Sequence, residues 1–201
     1  MSSSRIMKIL TISDVESSIL YERFDSAAYA DVDLVISCGD LPLGYLEFIV
    51  TMVNVACYYV PGNHDERFLE MVPPGWEPLD DRIVEHSGVK ILGLGGSMRY
   101  KPGPYQYTEL EMKFRLLKLL PSLWLHKSRI DILVTHAPAH NLGDLAGPHR
   151  GFKVFRTIIE KYKPKYHLHG HVHLNYSHHP RKITYEKTSI INGFDHYMFE
   201  Y

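Results

Sequence analysis

The sequence predicts an α/β fold in which two β-sheets pack face to face with helices outside. Two observations carry this. Between residues 7 and 60, three short apolar runs alternate with stretches of helical spacing, the pattern of a parallel sheet with right-handed crossovers. After residue 80 the pattern turns to paired strands interleaved with two further helical stretches, which a single sheet does not accommodate.

The elements follow in order. Met7 to Ser13 (MKILTIS) reads as a buried strand, and Glu16 to Tyr29 carries apolar residues at helical spacing. A strand over Leu34 to Cys38, a helix over Tyr45 to Met52 and a strand over Val55 to Val60 complete the parallel half. Arg82 to His86, a Ser87-Gly88 turn and Val89 to Leu94 form a hairpin. The segment Gly95 to Tyr107 is rich in Gly, Pro and Tyr and too irregular for helix or strand. Thr108 opens a helix with Glu111 completing a capping box, and its Leu110, Phe114, Leu117 and Leu120 share one face. A strand over Asp131 to Thr135, a helix over Lys153 to Tyr162 and a strand over Lys165 to Leu168 come next. Short strands near Lys182 to Tyr185, Ser189 to Asn192 and Tyr197 to Tyr201 close the chain.

The chain reads as one domain over its 201 residues, with Met1 to Arg5 polar and expected to be disordered. Its 22 basic and 23 acidic side chains nearly cancel, which argues against a nucleic-acid binder. No targeting segment and no membrane span are expected. Cys38 and Cys57 lie in apolar runs, so a disulfide scaffold is excluded and a cytoplasmic setting is expected. Eleven of the 13 histidines fall after residue 125, a skew that suggests metal or acid–base chemistry.

The polar residues sit where such chemistry needs them. Each core strand ends in a metal-binding type of residue: Asp14, then Gly39-Asp40, then Gly62-Asn63-His64-Asp65, then His136, then Gly170-His171-Val172-His173. Ligands bind beyond the carboxyl ends of parallel strands, so the five tips are expected to converge. Asp40 could bridge two cations, Asn63 offers an amide oxygen, and His136, His171 and His173 offer nitrogen. Such mixed donors favour Mn, Fe, Zn or Ni over Mg or Ca. Glycines 39, 62 and 170 would let the backbone approach the ions closely. In an extended segment His171 and His173 would face the same way.

This motif set resembles that of the calcineurin-like metallophosphoesterases, in order, over residues 14 to 173. The resemblance implies a four-layer fold with two sheets sandwiched between helices, two divalent metal ions, and hydrolysis of a phosphate ester by a hydroxide held between them. It implies one metal on Asp14, Asp40 and His173, the other on Asp40, Asn63, His136 and His171. It also implies that His64 contacts the phosphate and protonates the leaving oxygen.

The chain departs from the family pattern twice. Asp14-Val15-Glu16 stands where Asp-x-His is usual. Glu16 either supplies an oxygen in place of the imidazole nitrogen or opens the following helix, where the macrodipole favours a carboxylate. Leu43 stands where many active members carry the Asp or Asn that orients the catalytic histidine.

Other residues read as follows. His167 and His169 continue the two-residue period and are expected to pack or to support the ligands. His140, His149 and Arg150, in the loop after His136, are close enough to reach substrate, though loop residues are more often merely solvated. His86, His126, His178, His179 and His196 are expected to be structural or exposed. The 95–107 loop either covers the crevice with Arg99, Lys101 and a tyrosine, or packs its tyrosines on the sheet. The leading function is a phosphodiesterase or phosphatase acting on a small phosphate ester, nucleotide or aryl. The alternative is a scaffold that keeps the fold but binds protein partners, as the retromer subunit of this fold does. A nuclease is disfavoured by the charge balance.

Overall fold

The structure, a computed structural model, describes residues 6–125, 129–175 and 178–201. The expectations for Met1 to Arg5 and His126 lie outside the described residues.

The first sheet is built from β1 (Lys8–Ser13), β2 (Leu34–Ser37), β3 (Ala56–Tyr59) and the two-residue β4 (Glu77–Pro78), all parallel. The second contains the hairpin β5 (Arg82–His86) and β6 (Val89–Leu94). A short parallel ribbon, β7 (Ser97–Met98) and β8 (Gln106–Tyr107), stands apart. The second sheet continues through β9 (Ile132–Thr135), β10 (Tyr166–His169), β11 (Lys182–Tyr185) and β12 (Thr188–Asn192). The last strand, β13 (Asp195–Glu200), returns to pair antiparallel with β1. The strand orders are β13-β1-β2-β3-β4 and β11-β12-β10-β9-β6-β5. Antiparallel strands thus cap the parallel centre of the second sheet on both edges.

Alternation along the strands explains the layers. Ile9, Leu34, Ile36 and Tyr58 turn inward against Ile91, Ile132, Val134 and Leu168 of the other sheet. The intervening Leu10, Ile12, Val35 and Cys57 face outward, under α1 (Ser18–Tyr21) and α2 (Leu43–Val53). Leu92, Leu133 and Ile190 of the second sheet meet Met112 and Leu119 of α3 (Glu109–Leu125) and Phe155 and Ile158 of α4 (Lys153–Tyr162). The order is helix, sheet, sheet, helix.

Two expectations change, and the one for α3 gains a direction. The helix over 16–29 contracts to the single turn of α1, capped by the Ser17 hydroxyl. Beyond it, the Asp25 carboxylate accepts the Ala27 N–H (3.0 Å), offering the backbone a turn in place of a helix. The 95–107 segment is not wholly irregular, because it holds the β7–β8 ribbon. On α3 the capping box forms, with Glu111 Oε2 accepting the Thr108 N–H (2.6 Å). Its Leu110, Phe114, Leu117 and Leu120 do share one face, and that face points to solvent.

Arg115 of α3 ties the 95–107 loop to the hairpin. Its Nη1 donates to the Gly95 carbonyl (2.8 Å), its Nε to Asp81 (2.9 Å) and its Nη2 to Asp80, while Tyr107 stacks on the guanidinium (4.4 Å). Arg115 is buried. Arg115→Met is expected to cost about 3 kcal/mol, because it strands Asp80 without its cation. A urea melt of the variant checks this.

Candidate metal centre

The tips of β1, β2 and β3 in one sheet and of β9 and β10 in the other meet at one end of the sandwich. There Asp14, Asp40, Asn63, His64, Tyr100, Pro148, His149, His171 and His173 line a cleft of about 430 Å³. His136 is fully buried beneath it. A second cleft of about 310 Å³ shares Asp40 and His64 and continues past Leu43 to Arg67 and Phe68.

Backbone geometry at these tips is unusual. Asp14 (φ 68°), Asp40 (φ 58°) and His171 (φ 67°) all adopt left-handed conformations. Such conformations cost on the order of 1–3 kcal/mol each and persist where surrounding bonds over-determine them. The bonds are present. Both Asp14 oxygens accept the His171 N–H (3.0 Å each), Asp14 N–H donates to Gly39 O (3.1 Å), and Asp40 Oδ1 accepts the His64 N–H (2.7 Å). His149 Nδ1 donates to the His171 carbonyl (2.9 Å), and the two rings pack at 4.9 Å. Because His171 is left-handed and no strand continues past His169, His171 and His173 are not an extended pair, and the two-residue stripe ends with the strand.

Glycine is required for these approaches at two tips. A Cβ on Gly62 would lie 2.1 Å from Asp40 Oδ1, and one on Gly170 would lie 1.9 Å from Ser13 Oγ and 2.7 Å from Asp14 Oδ2. Gly170→Ala is therefore expected to destabilise by about 2 kcal/mol and to weaken cation binding by displacing Asp14. Thermal melts with and without added Mn²⁺ would register both effects.

Donor and acceptor roles in the cluster are settled by its carbonyl partners. His136 Nδ1 donates to the Cys38 carbonyl (2.8 Å) and His171 Nε2 to the Pro148 carbonyl (2.9 Å). The remaining nitrogens, His136 Nε2 and His171 Nδ1, face each other at 3.1 Å. Asn63 Oδ1 lies 3.1 Å and Asp40 Oδ2 3.3 Å from His136 Nε2. Asn63 Nδ2 donates to the Tyr100 hydroxyl (3.3 Å), which turns the amide oxygen toward the cluster. His171 Nδ1, Asn63 Oδ1 and Asp40 Oδ2 thus lie within 3.3 Å of His136 Nε2, a donor set suited to a cation. A proton on His136 Nε2 also satisfies the group. Burial works against the charge, but the Asp40 and Asp14 carboxylates outweigh it and push His136 up to about 9. Burial likewise opposes ionisation of Asp40, and His136 overrides it, holding Asp40 at about 2. Burial and the His136 charge depress His171 to about 3. Asp40, His136 and His171 alone form a compact group that could hold an ion, and Asn63 adds a fourth donor, its amide oxygen.

The other singled-out residues separate. His173 Nε2 stands 3.8 Å from Asp14 Oδ1 and lines the cleft outside the compact Asp40, His136 and His171 group. Glu16 is exposed, lies outside the cleft lining and precedes the Ser17 cap, so it neither joins the cluster nor sits in the helix's first turn. His64 is exposed at the cleft mouth, and Leu43, the first residue of α2, lines the same wall. His167 and His169 are buried on the outer face of β10. His167 Nε2 meets Thr135 Oγ1 (2.9 Å) and His169 Nδ1 donates to Gly170 O (3.0 Å); burial keeps both neutral. Of the three loop residues only His149 lines the cleft. His140 pairs with Asp144 (3.2 Å), and Arg150 is exposed beside that pair. Arg99 is engaged by Glu111 (2.8 Å), and Lys101 lies over the Tyr100 ring. His86 packs on Tyr58, His196 contacts Ser17, and His178 and His179 are exposed.

Sequence reasoning gave Asp65 no role. Its Oδ2 accepts both the Gly62 N–H (2.7 Å) and the Asp40 N–H (2.8 Å), stapling the β2 and β3 tips together. Burial and the neighbouring Asp40 charge push its carboxyl up to about 7. Its place in the Gly62-Asn63-His64-Asp65 run was the available signal.

Comparison with known proteins agrees with this geometry. A UPF0046 protein of Caenorhabditis elegans is 30% identical over 101 residues, covering 49% of this chain and 24% of the worm protein, so the chain matches only about a quarter of that relative's length. An uncharacterised Haemophilus influenzae protein is 27% identical over 183 residues, covering 75% of this chain and 78% of that one. The crystal structure of TT1561 from Thermus thermophilus superposes with a TM-score of 0.65 at 17% identity, over 94% of this chain and 90% of that one, which supports the fold. The profile of the calcineurin-like phosphoesterases matches residues 7–175, and the chain belongs to that family.

Proposed function

We propose that this chain hydrolyses a phosphate ester of a small molecule, as a phosphodiesterase or phosphatase, at a two-cation centre. Asp14, Asp40 and His173 would hold one ion, and Asp40, Asn63, His136 and His171 the other. The observation that carries the proposal is the gathering of His171 Nδ1, Asn63 Oδ1 and Asp40 Oδ2 within 3.3 Å of His136 Nε2 at the base of the cleft. Their mix of nitrogen and oxygen suits Mn, Fe, Zn or Ni. Divalent ions bound there would supply an activated water and neutralise charge on the phosphoryl oxygens.

The protein's own residues do the rest. His64, at the mouth of both clefts, meets the leaving group and protonates its oxygen. Tyr100 and His149 form flat walls on which an aryl group or a nucleotide base can stack. Two buried free thiols, Cys38 and Cys57, fit a reducing cytoplasm. No helix among the described residues is long and apolar enough to cross a membrane. Exposed and outside the cleft lining, Glu16 is left out of the ligand set, so Asp14, Asp40 and His173 are the residues that would hold that ion.

Protein purified without chelators is expected to carry divalent metal by elemental analysis and to hydrolyse bis(p-nitrophenyl) phosphate. Exhaustive chelation should remove the activity and added Mn²⁺ restore it. Protein that neither takes up metal nor turns over the ester would overturn the proposal. That result would favour a partner-binding scaffold, the reading to which the exposed Glu16 and the apolar Leu43 lend support.

A further inference from the structure

Helix α3 buries Met112, Arg115, Leu119 and Leu123 and turns its opposite face outward. On that face Leu110 is 61% exposed, Phe114 55%, Leu117 53%, Leu120 40% and Trp124 81%. At 100° per residue all five fall in one stripe, although the helix already packs a different face on the core. Isolated surface leucines are ordinary; a continuous stripe ending in a bare tryptophan is the mark of an interface.

The spacing of the stripe identifies its occupant. Leu117 is its centre, with Phe114 and Leu120 three residues to either side and Leu110 and Trp124 seven to either side. We propose that this face is a two-fold interface between two copies of the chain, with α3 packed antiparallel on its counterpart about Leu117. In that arrangement Leu117 meets Leu117, Phe114 meets Leu120 and Leu110 meets Trp124, so every apolar level of one helix faces an apolar level of the other. A self-complementary contact requires that match, whereas an unrelated partner has no need of it.

Charge and area agree. Lys113 is the cation that falls within the stripe, about 40° round the helix from Leu117, whereas Lys118, next to Leu117 in the chain, sits about 100° round on the flank. A parallel pairing would set the two Lys113 ammonium groups side by side. The antiparallel one places each opposite Pro121, with the two about 12 Å apart along the axis, beyond the screening distance of about 8 Å at physiological salt. Leu69, which shares a cleft with Phe114 and is itself exposed, widens the patch. Together these side chains offer on the order of 600 Å² per copy, somewhat below the roughly 800 Å² of a standard interface, which corresponds to a reversible dimer.

Sedimentation velocity of the full chain over a concentration series is expected to show a monomer–dimer equilibrium at micromolar protein. Leu117→Glu should abolish the dimer while its thermal melt and metal-dependent ester turnover stay at the wild-type level. In Leu117→Cys the new thiol should cross-link to its own counterpart under oxidised glutathione, since Cys38 and Cys57 are buried. A wild-type chain that stays monomeric throughout, a dimer that survives Leu117→Glu, or a Leu117→Cys protein that does not cross-link would overturn the proposal. So would a monomer that co-sediments with anionic lipid vesicles, which would assign the stripe to a membrane surface.

Discussion

Asp40→Asn is expected to abolish cation binding at the proposed centre and to lower ester turnover by at least about 10³-fold, the upper end of what one electrostatic stabiliser of a transition state contributes. One carboxylate serves the whole centre. Its Oδ2 faces His136, its Oδ1 accepts the His64 N–H, and the residue's left-handed backbone is held by the Asp65 carboxylate through its own N–H. Asparagine keeps the size and one carbonyl oxygen, and Asn is among the residues that tolerate a left-handed backbone, so the fold should persist. What disappears is the negative charge. The acceptor cluster of His136, His171 and Asn63 then lacks the anion that makes cation capture favourable, and affinity should fall by more than about 100-fold, the upper range for removing a mere supporting partner of a ligand. Calorimetric titration with Mn²⁺ beside a melting curve separates loss of the site from loss of the fold. An Asp40→Asn protein with wild-type metal content and turnover would show that the centre does not depend on this residue.

How much of this was legible in sequence depends on which force fixes each feature. The parallel strands were legible because sheets buried on both faces leave near-continuous apolar runs such as Leu34 to Ser37 and Ile132 to Thr135. The polar residues that follow each run were visible as strand-tip residues without reference to tertiary structure. The two sheets' shared end, where the tips of β1, β2 and β3 meet those of β9 and β10, follows from packing and not from any single spacing. Spacing also failed on α3. Apolar residues lie all round that helix, so periodicity could group Leu110, Phe114, Leu117 and Leu120 without saying that Met112, Leu119 and Leu123 would be the ones to face the sheet. Tyr100 and His149 reach the cleft through loop conformations set by Gln106, whose Oε1 holds the N–H groups of Tyr100 and Lys101, and by the His171 carbonyl. Nothing in their local sequence distinguishes them from His140 or Arg150, which point elsewhere.

His64→Ala carries the second large effect, and its signature depends on the leaving group. The hydrogen bond from His64 to Asp40 Oδ1 comes from its backbone N–H, so truncating the side chain should leave metal content unchanged. If the imidazole protonates the departing oxygen, turnover of an alkyl phosphodiester should fall about 10²–10⁴-fold. A nitrophenyl ester, whose leaving group departs readily as an anion, should lose far less. A side chain that merely gripped the phosphate would depress both substrates equally, and equal losses would remove His64 from the acid role. The apolar neighbour allows a converse test. Leu43 lines the same cleft wall at the start of α2, where a carboxylate suits the helix dipole. Leu43→Asp would give the His64 ring an acceptor to orient it and to raise its basicity. Turnover of the alkyl ester should then rise by up to about 10–100-fold, the effect usually lost when such a partner is removed. Because the gain acts through His64, it should vanish in the Leu43→Asp, His64→Ala double variant, whose turnover should match that of His64→Ala alone.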